Sequence, residues 1–316
     1  MKKIFWLKSE NPEDYIWRFK NNPITKLEET DYWHIFNSAF IFKDGIYHAI
    51  FRVEDKGGCP ILITGESKDG INFKYGKPID FHYKDGRKFE FLYAYDPRFI
   101  EVEGRYFVVF CADVNGPCIY IAETKDFKNY TMLPSGFLPF NRNGVLFPEK
   151  IKGEYLMLSR PCSFSNTSSG DIYLSYSKDL VYWGNHKFLM KHFDTGRNFW
   201  ERIKIGAGPA PIKTKEGWLL IYHGVQATCN GWTYSFSVAL LDLKDPSKVL
   251  YKAKRYLLTP EEDYERVGFT NNVVFPTASL VDEEGHVTIY YGCADTHVGI
   301  AFTTIEKLLK FVKKYN

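Results

Sequence analysis

No stretch of this 316-residue chain approaches the roughly 18 consecutive apolar residues of a membrane span. The opening MKKIFWLKSE sets only four apolar residues between lysines, too few for a signal-peptide core. Charge is nearly balanced, with 41 Lys and Arg against 38 Asp and Glu. The basic excess of a nucleic-acid binder is missing, so no nucleic-acid or membrane partner is expected. Cys59, Cys111, Cys118, Cys162, Cys229 and Cys293 are scattered without a Cys-x-x-Cys pair, and no histidines have the HExxH spacing. Both absences argue against a zinc site, and no metal or organic cofactor is expected. The thiols read as free in a cytoplasmic protein, although their even number leaves disulfides open. A phosphate loop of the GxxxxGK[ST] kind is also lacking.

Aromatic residues are abundant. Phe (26) and Tyr (22) favour strands and sugar-stacking surfaces. One phrase recurs five times: FIFKDGIYHAIFR (40–52), FIEVEGRYFVVFC (99–111), KIKGEYLMLSR (150–160), IKTKEGWLLIYHG (212–224) and LVDEEGHVTIYYG (280–292). Each joins two apolar strands through a charged residue and glycine, a hairpin signal. The interval of roughly 50 to 70 residues suits propeller blades. A second phrase, Lys-Asp before an aromatic strand, follows in SKDGINF (67–73), TKDFKNY (124–130) and SKDLVYW (177–183), and more loosely in LDLKDP (241–246). Two hairpins per unit predict an all-β, five-bladed β-propeller spanning residues 1–316 as a single domain. A β-sandwich with irregular insertions is the alternative. Only IEKLLKFVKKY (305–315) has helical spacing, which predicts a short C-terminal helix. The polar, proline-broken N-terminus is expected to pack across the outside.

Strand-breaking residues precede each first hairpin: FNS (36–38), YDPR (95–98), FPE (147–149), GAGPAP (206–211) and FPT (275–277). They are expected to ring one end of the central channel. Asp and Pro are poor strand residues, so Asp96 among tyrosines asks for an explanation. A lone arginine in a strand-rich fold is usually a surface residue. Arg142, Arg160, Lys204 and His223 fall together at inner-hairpin positions, and converging cations call for an anion. Glycoside hydrolysis ordinarily needs a second carboxyl to activate water. Phosphate is already an anion and needs no such base. Glu149 is a candidate second carboxylate, or a partner of Arg142 or Lys150. Glu54 and Asp55 are candidates to hold Arg52, and Asp171 to make a turn. Trp33, His34, Tyr93, Trp200 and Trp232 are candidates to stack on a sugar or to pack in the core.

NSAF (37–40), FRVED (51–55), YDPR (95–98), NRNGVLFPEKIKGEYLMLSRP (141–161), KIGAGPAPI (204–212), IYHG (221–224) and YYGCADT (290–296), in this order, make the chain resemble glycoside hydrolase family 130, the β-mannoside phosphorylases. The resemblance implies a five-bladed propeller and inverting, reversible phosphorolysis of β-mannosides to α-mannose 1-phosphate, with phosphate as co-substrate. It also implies Asp96 as general acid, acting through a sugar hydroxyl. Arg142, Arg160, Lys204, His223 and Tyr234 would hold phosphate, and Asn37, Ser38, Arg52 and Asp295 would line the mannosyl pocket. A hydrolase of the same family, a non-catalytic sugar-binding propeller, and an arabinan- or fructan-type glycosidase are the rival readings. The acceptor would be chosen by DFHYKDGRKFEFLY (80–93), SFSNTSSG (163–170) and FDTGRNFWER (193–202), with a lean towards β-1,4-manno-oligosaccharides. Exposed aromatics leave room for a homo-oligomer.

Overall fold

The computed structural model describes residues 4–163, 170–193, 198–229 and 231–316. Five sheets follow one another along the chain, each with four strands that run antiparallel from the centre outwards, and in the second blade Phe81–Tyr83 adds a parallel outermost strand against Tyr130–Met132. The innermost strands are His34–Lys43, Tyr93–Val102, Asn141–Leu146, Lys204–Ala207 with Ile212–Lys213, and Val274–Val281. Four of the predicted first hairpins close at Gly45, Gly104, Gly153 and Gly285, where the positive backbone φ of 73–82° suits glycine. The chain is thus a five-bladed β-propeller carrying a C-terminal helix, Ile305–Lys314.

The Lys-Asp phrase has a local cause. Asp69 Oδ1 accepts the backbone N–H groups of Ile71 and Asn72, at 2.9 and 2.8 Å. Asp126 and Asp179 repeat this turn in the next two blades, and in the fourth Asp242 makes it, ahead of Lys244-Asp245 rather than within that pair. The aspartate offers the turning backbone an acceptor that the ladder no longer supplies.

Each blade is covered on both faces, so its strands read as continuous apolar runs. In FVVFCA, Val108 and Phe110 pack towards the first blade, with Ile50 and Leu62. Phe107 and Val109 pack towards the third, with Leu146 and Met157. Five such clusters fill the five interblade spaces.

The N-terminal segment does more than cross the outside. Trp17–Arg18 is the outermost strand of the fifth blade, paired with His297–Thr304. Arg18 forks onto the fully buried carboxylate of Glu265 at 2.8 and 2.9 Å, and the Tyr291 hydroxyl donates to the same group at 2.8 Å. A buried carboxylate is tolerated only when paired and hydrogen-bonded, as here. The first and last parts of the chain thereby close the ring.

The strand-breaking motifs are β-bulges. Register shifts fall between Phe36 and Ala39, Tyr95 and Arg98, Arg142 and Val145, and Pro276 and Ala278. In the third blade the equivalent of FNS and YDPR is therefore NRNG (141–144), not FPE (147–149). Phe147 is core, and Glu149 pairs outside with Lys213 at 2.7 Å. Proline drew attention to the wrong end of that strand. In the fourth blade the innermost strand breaks outright between Ala207 and Ile212.

Candidate active site

The bulges aim side chains into the channel. Asn37, Asp96 and Asn143 take left-handed backbone conformations, with φ of 44°, 51° and 54°. That conformation costs a non-glycine residue about 1–2 kcal/mol and redirects its side chain. Proline at position 97 is tolerated because a bulge needs no ladder N–H there. All three redirected residues line one cavity of about 360 Å³.

One wall, from the first, second and fifth blades, is acidic. Asp96 Oδ1 accepts from Arg52 Nη1 at 2.9 Å and from Asn37 Nδ2 at 3.0 Å. The Arg52 guanidinium lies over the rings of Phe36 and Tyr95, at 4.2 and 5.3 Å from their centroids. Its Nη2 is 3.6 Å from Glu54, the partner expected, while Asp55 instead caps the next turn. Asp295 lies in the same wall. Burial first, then the carboxylates of Asp96 and Glu54, push its carboxyl up to about 6, against the pull of Arg52 and the Thr270 hydroxyl. The cavity therefore does hold a second carboxylate. Arg98 is buried behind Asp96 and donates to its backbone carbonyl at 2.6 Å, not to its carboxylate.

The other wall, from the third and fourth blades, is basic. Arg142 and Arg160 are directly opposed in antiparallel register. Arg142 donates to the Tyr95 hydroxyl (3.1 Å), the Cys162 sulfur (2.7 Å) and the Ser163 carbonyl (3.1 Å). Arg160 Nη1 donates to His223 Nε2 at 3.1 Å. Arginine can only donate, so Nε2 is the acceptor and the imidazole carries its proton on Nδ1. Burial and the charges of Arg160, Arg98 and Lys204 keep this histidine neutral, its pKa well below the usual value. Lys204, 3% exposed, is pushed down to about 7 by burial and then by Arg160 and Arg142. Its Nζ lies over the rings of Trp232 and Tyr234, at 4.4 and 5.6 Å. Withdrawing a cation from water costs several kcal/mol, and like-charged neighbours add to it. An anion between these three groups relieves both costs.

Residues 9–314 match the family model Glyco_hydro_130, described as beta-1,4-mannooligosaccharide phosphorylase. The chain belongs to glycoside hydrolase family 130. It is 44% identical, over 96% of its length and 92% of the relative's, to a beta-1,4-mannooligosaccharide phosphorylase of Ruminococcus albus. It is 33% identical, over 92% and 98%, to a 1,2-beta-oligomannan phosphorylase of a Thermoanaerobacter species. The solved structure of a Listeria innocua beta-1,2-mannobiose phosphorylase, in complex with beta-1,2-mannobiose, superposes with a TM-score of 0.83 at 27% identity, covering 95% of this chain and 99% of that one.

Of the positions that the family resemblance assigns, Asp96, Arg142, Arg160, Lys204, His223, Tyr234, Asn37, Arg52 and Asp295 all line the one cavity. Ser38 does not. The bulge turns Asn37 inward and Ser38 away, where its hydroxyl donates to the Phe36 carbonyl at 3.1 Å and its own carbonyl accepts from Thr277. The sequence reading missed Asn143, and it took Tyr95 only as an aromatic neighbour of Asp96. Asn143 is 5% exposed and lines the cavity, and its buried Oδ1 is unpartnered. Tyr95 touches both walls, its ring under Arg52 and its hydroxyl on Arg142. Alignment of Asn143 with Asn37 and Asp96 in the blade repeat was the signal available for the first.

Among the candidate stacking aromatics, Tyr93 and Trp232 line the cavity, whereas Trp200 is core. Trp33 is 56% exposed, and His34 packs on Phe269 with ring centroids 4.8 Å apart. Asp171 accepts from His192 through backbone and ring, at 2.8 and 2.6 Å. Most of the acceptor-loop candidate 163–170, and residues 194–197 of 193–202, lie outside the described residues. Among the described residues no helix is long and apolar enough to cross a membrane.

Proposed function

We propose that this protein is a β-mannoside phosphorylase, with residues 1–316 as one catalytic domain. It converts a β-mannoside and inorganic phosphate, reversibly and with inversion, to α-mannose 1-phosphate and a shortened acceptor. Family membership supports the reaction class. The observation that carries the assignment of roles is the division of the cavity into a wall with Asp96 and Asp295 and a wall with Arg142, Arg160 and Lys204.

In this reading phosphate sits against the basic wall. Arginine forks match its oxygens and the lysine adds a point charge. Tyr234 supplies a hydroxyl, and His223 holds Arg160 in place. Mannose lies between the walls, held by Asn37, Arg52 and Asp295. A phosphate oxygen forms a bond to the anomeric carbon as the bond from that carbon to the acceptor oxygen breaks. Asp96 supplies the proton that the departing oxygen needs, by the relay through a sugar hydroxyl that the family resemblance implies. Both donors to Asp96 contact Oδ1, so Oδ2 is the oxygen to carry that proton. The β-linkage becomes an α-phosphate because nucleophile and leaving group occupy opposite faces.

β-1,4-Manno-oligosaccharides are the proposed substrates, supported by the family description and the 44% identical relative. Reverse reactions from α-mannose 1-phosphate over a panel of mannose, glucose and N-acetylglucosamine acceptors, with linkage analysis, test this. Asp295 as a second carboxylate gives a hydrolytic reading one observation in its favour. The deciding experiment measures cleavage of mannobiose with and without phosphate and identifies the product. Phosphate-dependent release of α-mannose 1-phosphate is expected. Equal rates, with free mannose as product, overturn the phosphorylase.

A further inference from the structure

The basic wall contains an aromatic ring to which the roles given above assign no part. Trp232 lines the cavity, and the Lys204 ammonium sits over its ring at 4.4 Å. We propose that Trp232 is a positioning residue for phosphate, holding the Lys204 ammonium charged and in place, rather than a platform for the acceptor sugar. This rests on the phosphorylase reading above.

The placement follows from strand geometry. Trp232 and Tyr234 are two residues apart on Gly231–Leu241, so strand alternation sets them on the same side. Their rings are 6.4 Å apart and both lie beneath the ammonium. One face of the indole is already covered by Nζ. The π-face attracts a cation, and more strongly where water is excluded. Lys204 is 3% exposed, so the attraction is nearly unscreened.

Lys204 sits among like charges. Arg160 and Arg142 bear on it from the third blade, and Cys162 opposes them weakly. His223, from its own blade, is neutral. Burial holds the Tyr234 phenol well above its usual range, so it stays neutral too. Across the cavity, burial pushes the Asp295 carboxyl up to about 6. On the basic wall Lys204 is therefore the group poised at neutral pH, at about 7. A cation–π contact in a desolvated site is worth about one pKa unit to the charged form. Without the indole, Lys204 would lose its proton about one unit earlier, and phosphate would meet a neutral amine.

The test uses the full-length enzyme and its Trp232→Leu and Trp232→Phe variants. Phosphate KM, acceptor-side KM and the pH dependence of kcat/KM for phosphate are measured for each. Calorimetry of phosphate binding in two buffers of different ionisation enthalpy counts the protons taken up. Phosphate's own second ionisation is common to all three proteins and cancels in the comparison. Trp232→Leu is expected to raise phosphate KM about tenfold, leave sugar KM unchanged, and move the alkaline limb about one unit lower. Proton uptake at neutral pH should rise. Trp232→Phe, which keeps a π-face, should recover most of the loss.

Superimposable alkaline limbs with unchanged phosphate KM overturn the proposal. So does a raised sugar KM with normal phosphate binding, which would make the indole an acceptor platform. If Trp232→Leu does not fold, the Phe variant decides alone: a smaller downward shift of the limb supports the role, and none refutes it. Failure of the underlying reading looks different, because wild-type cleavage would then not depend on phosphate at all.

Discussion

Arg160 donates to Nε2 of His223 across 3.1 Å, in a setting where both are almost sealed from water. The histidine is thus a fixed acceptor that aims the arginine. A hydrogen bond to a charged group is worth roughly 1.5–3 kcal/mol. His223→Ala should therefore cut kcat/KM for phosphate by at least about tenfold, with sugar KM little changed. His223→Gln can present a carbonyl oxygen to Arg160 and should recover part of the loss. Arg160→Lys should not rescue Arg160→Ala, because a point charge cannot reproduce the fork. Steady-state kinetics with phosphate as the varied substrate reads all of these.

Asp96→Asn should fold normally and lose about three orders of magnitude or more in turnover, the upper part of the usual range for a general acid. The amide can still accept from Arg52 and Asn37, so the wall keeps its shape. Near-normal turnover in the folded variant would remove Asp96 from the acid role.

Asp295 gives a stability signature. Its carboxyl is held up to about 6, above the ordinary aspartate value of 3.8. Between those values the folded protein binds more protons than the unfolded chain, so this group's contribution falls as pH rises from about 4 to 6 and is flat above. The total is on the order of 3 kcal/mol at about 1.4 kcal/mol per unit. Asp295→Asn removes the slope. The variant should be more stable than wild type above pH 6 and gain nothing at pH 4, while losing mannoside affinity. Denaturant melts at several pH values, read as wild-type minus variant, check the sign.

Gly292 sits against Asn37. A Cβ there would lie 2.0 Å from Asn37 Oδ1. Gly292→Ala must push the amide off Asp96 and should lower turnover by about tenfold or more with phosphate KM preserved. Gly206 makes the matching case on the basic wall, where a Cβ would meet His223 Cε1 at 2.5 Å and Asn143 Oδ1 at 2.8 Å. Gly206→Ala should therefore raise phosphate KM. Opposite kinetic signatures from two glycine-to-alanine changes would confirm that the walls serve different substrates.

The sequence alone determined the five blades, the aspartate turns and the C-terminal helix. These are local structures: a charged residue and glycine close a hairpin, and Asp69, Asp126, Asp179 and Asp242 each satisfy backbone within three residues. It also pointed to the residues around the channel, because their motifs interrupt otherwise apolar runs. What it could not supply depends on residues far apart in the chain. Trp17–Arg18 completes a blade made by residues 274–304. Asp96 meets Arg52 and Asn37, and Arg160 meets His223, only because closing the ring brings separate blades to one axis. The inward turn of Asn37 and outward turn of Ser38 hang on a single bulge, and a pattern of period two does not register one extra residue. The poise of Lys204 and Asp295 is likewise tertiary, since burial and neighbouring charge, not residue type, set how readily a group gives up its proton.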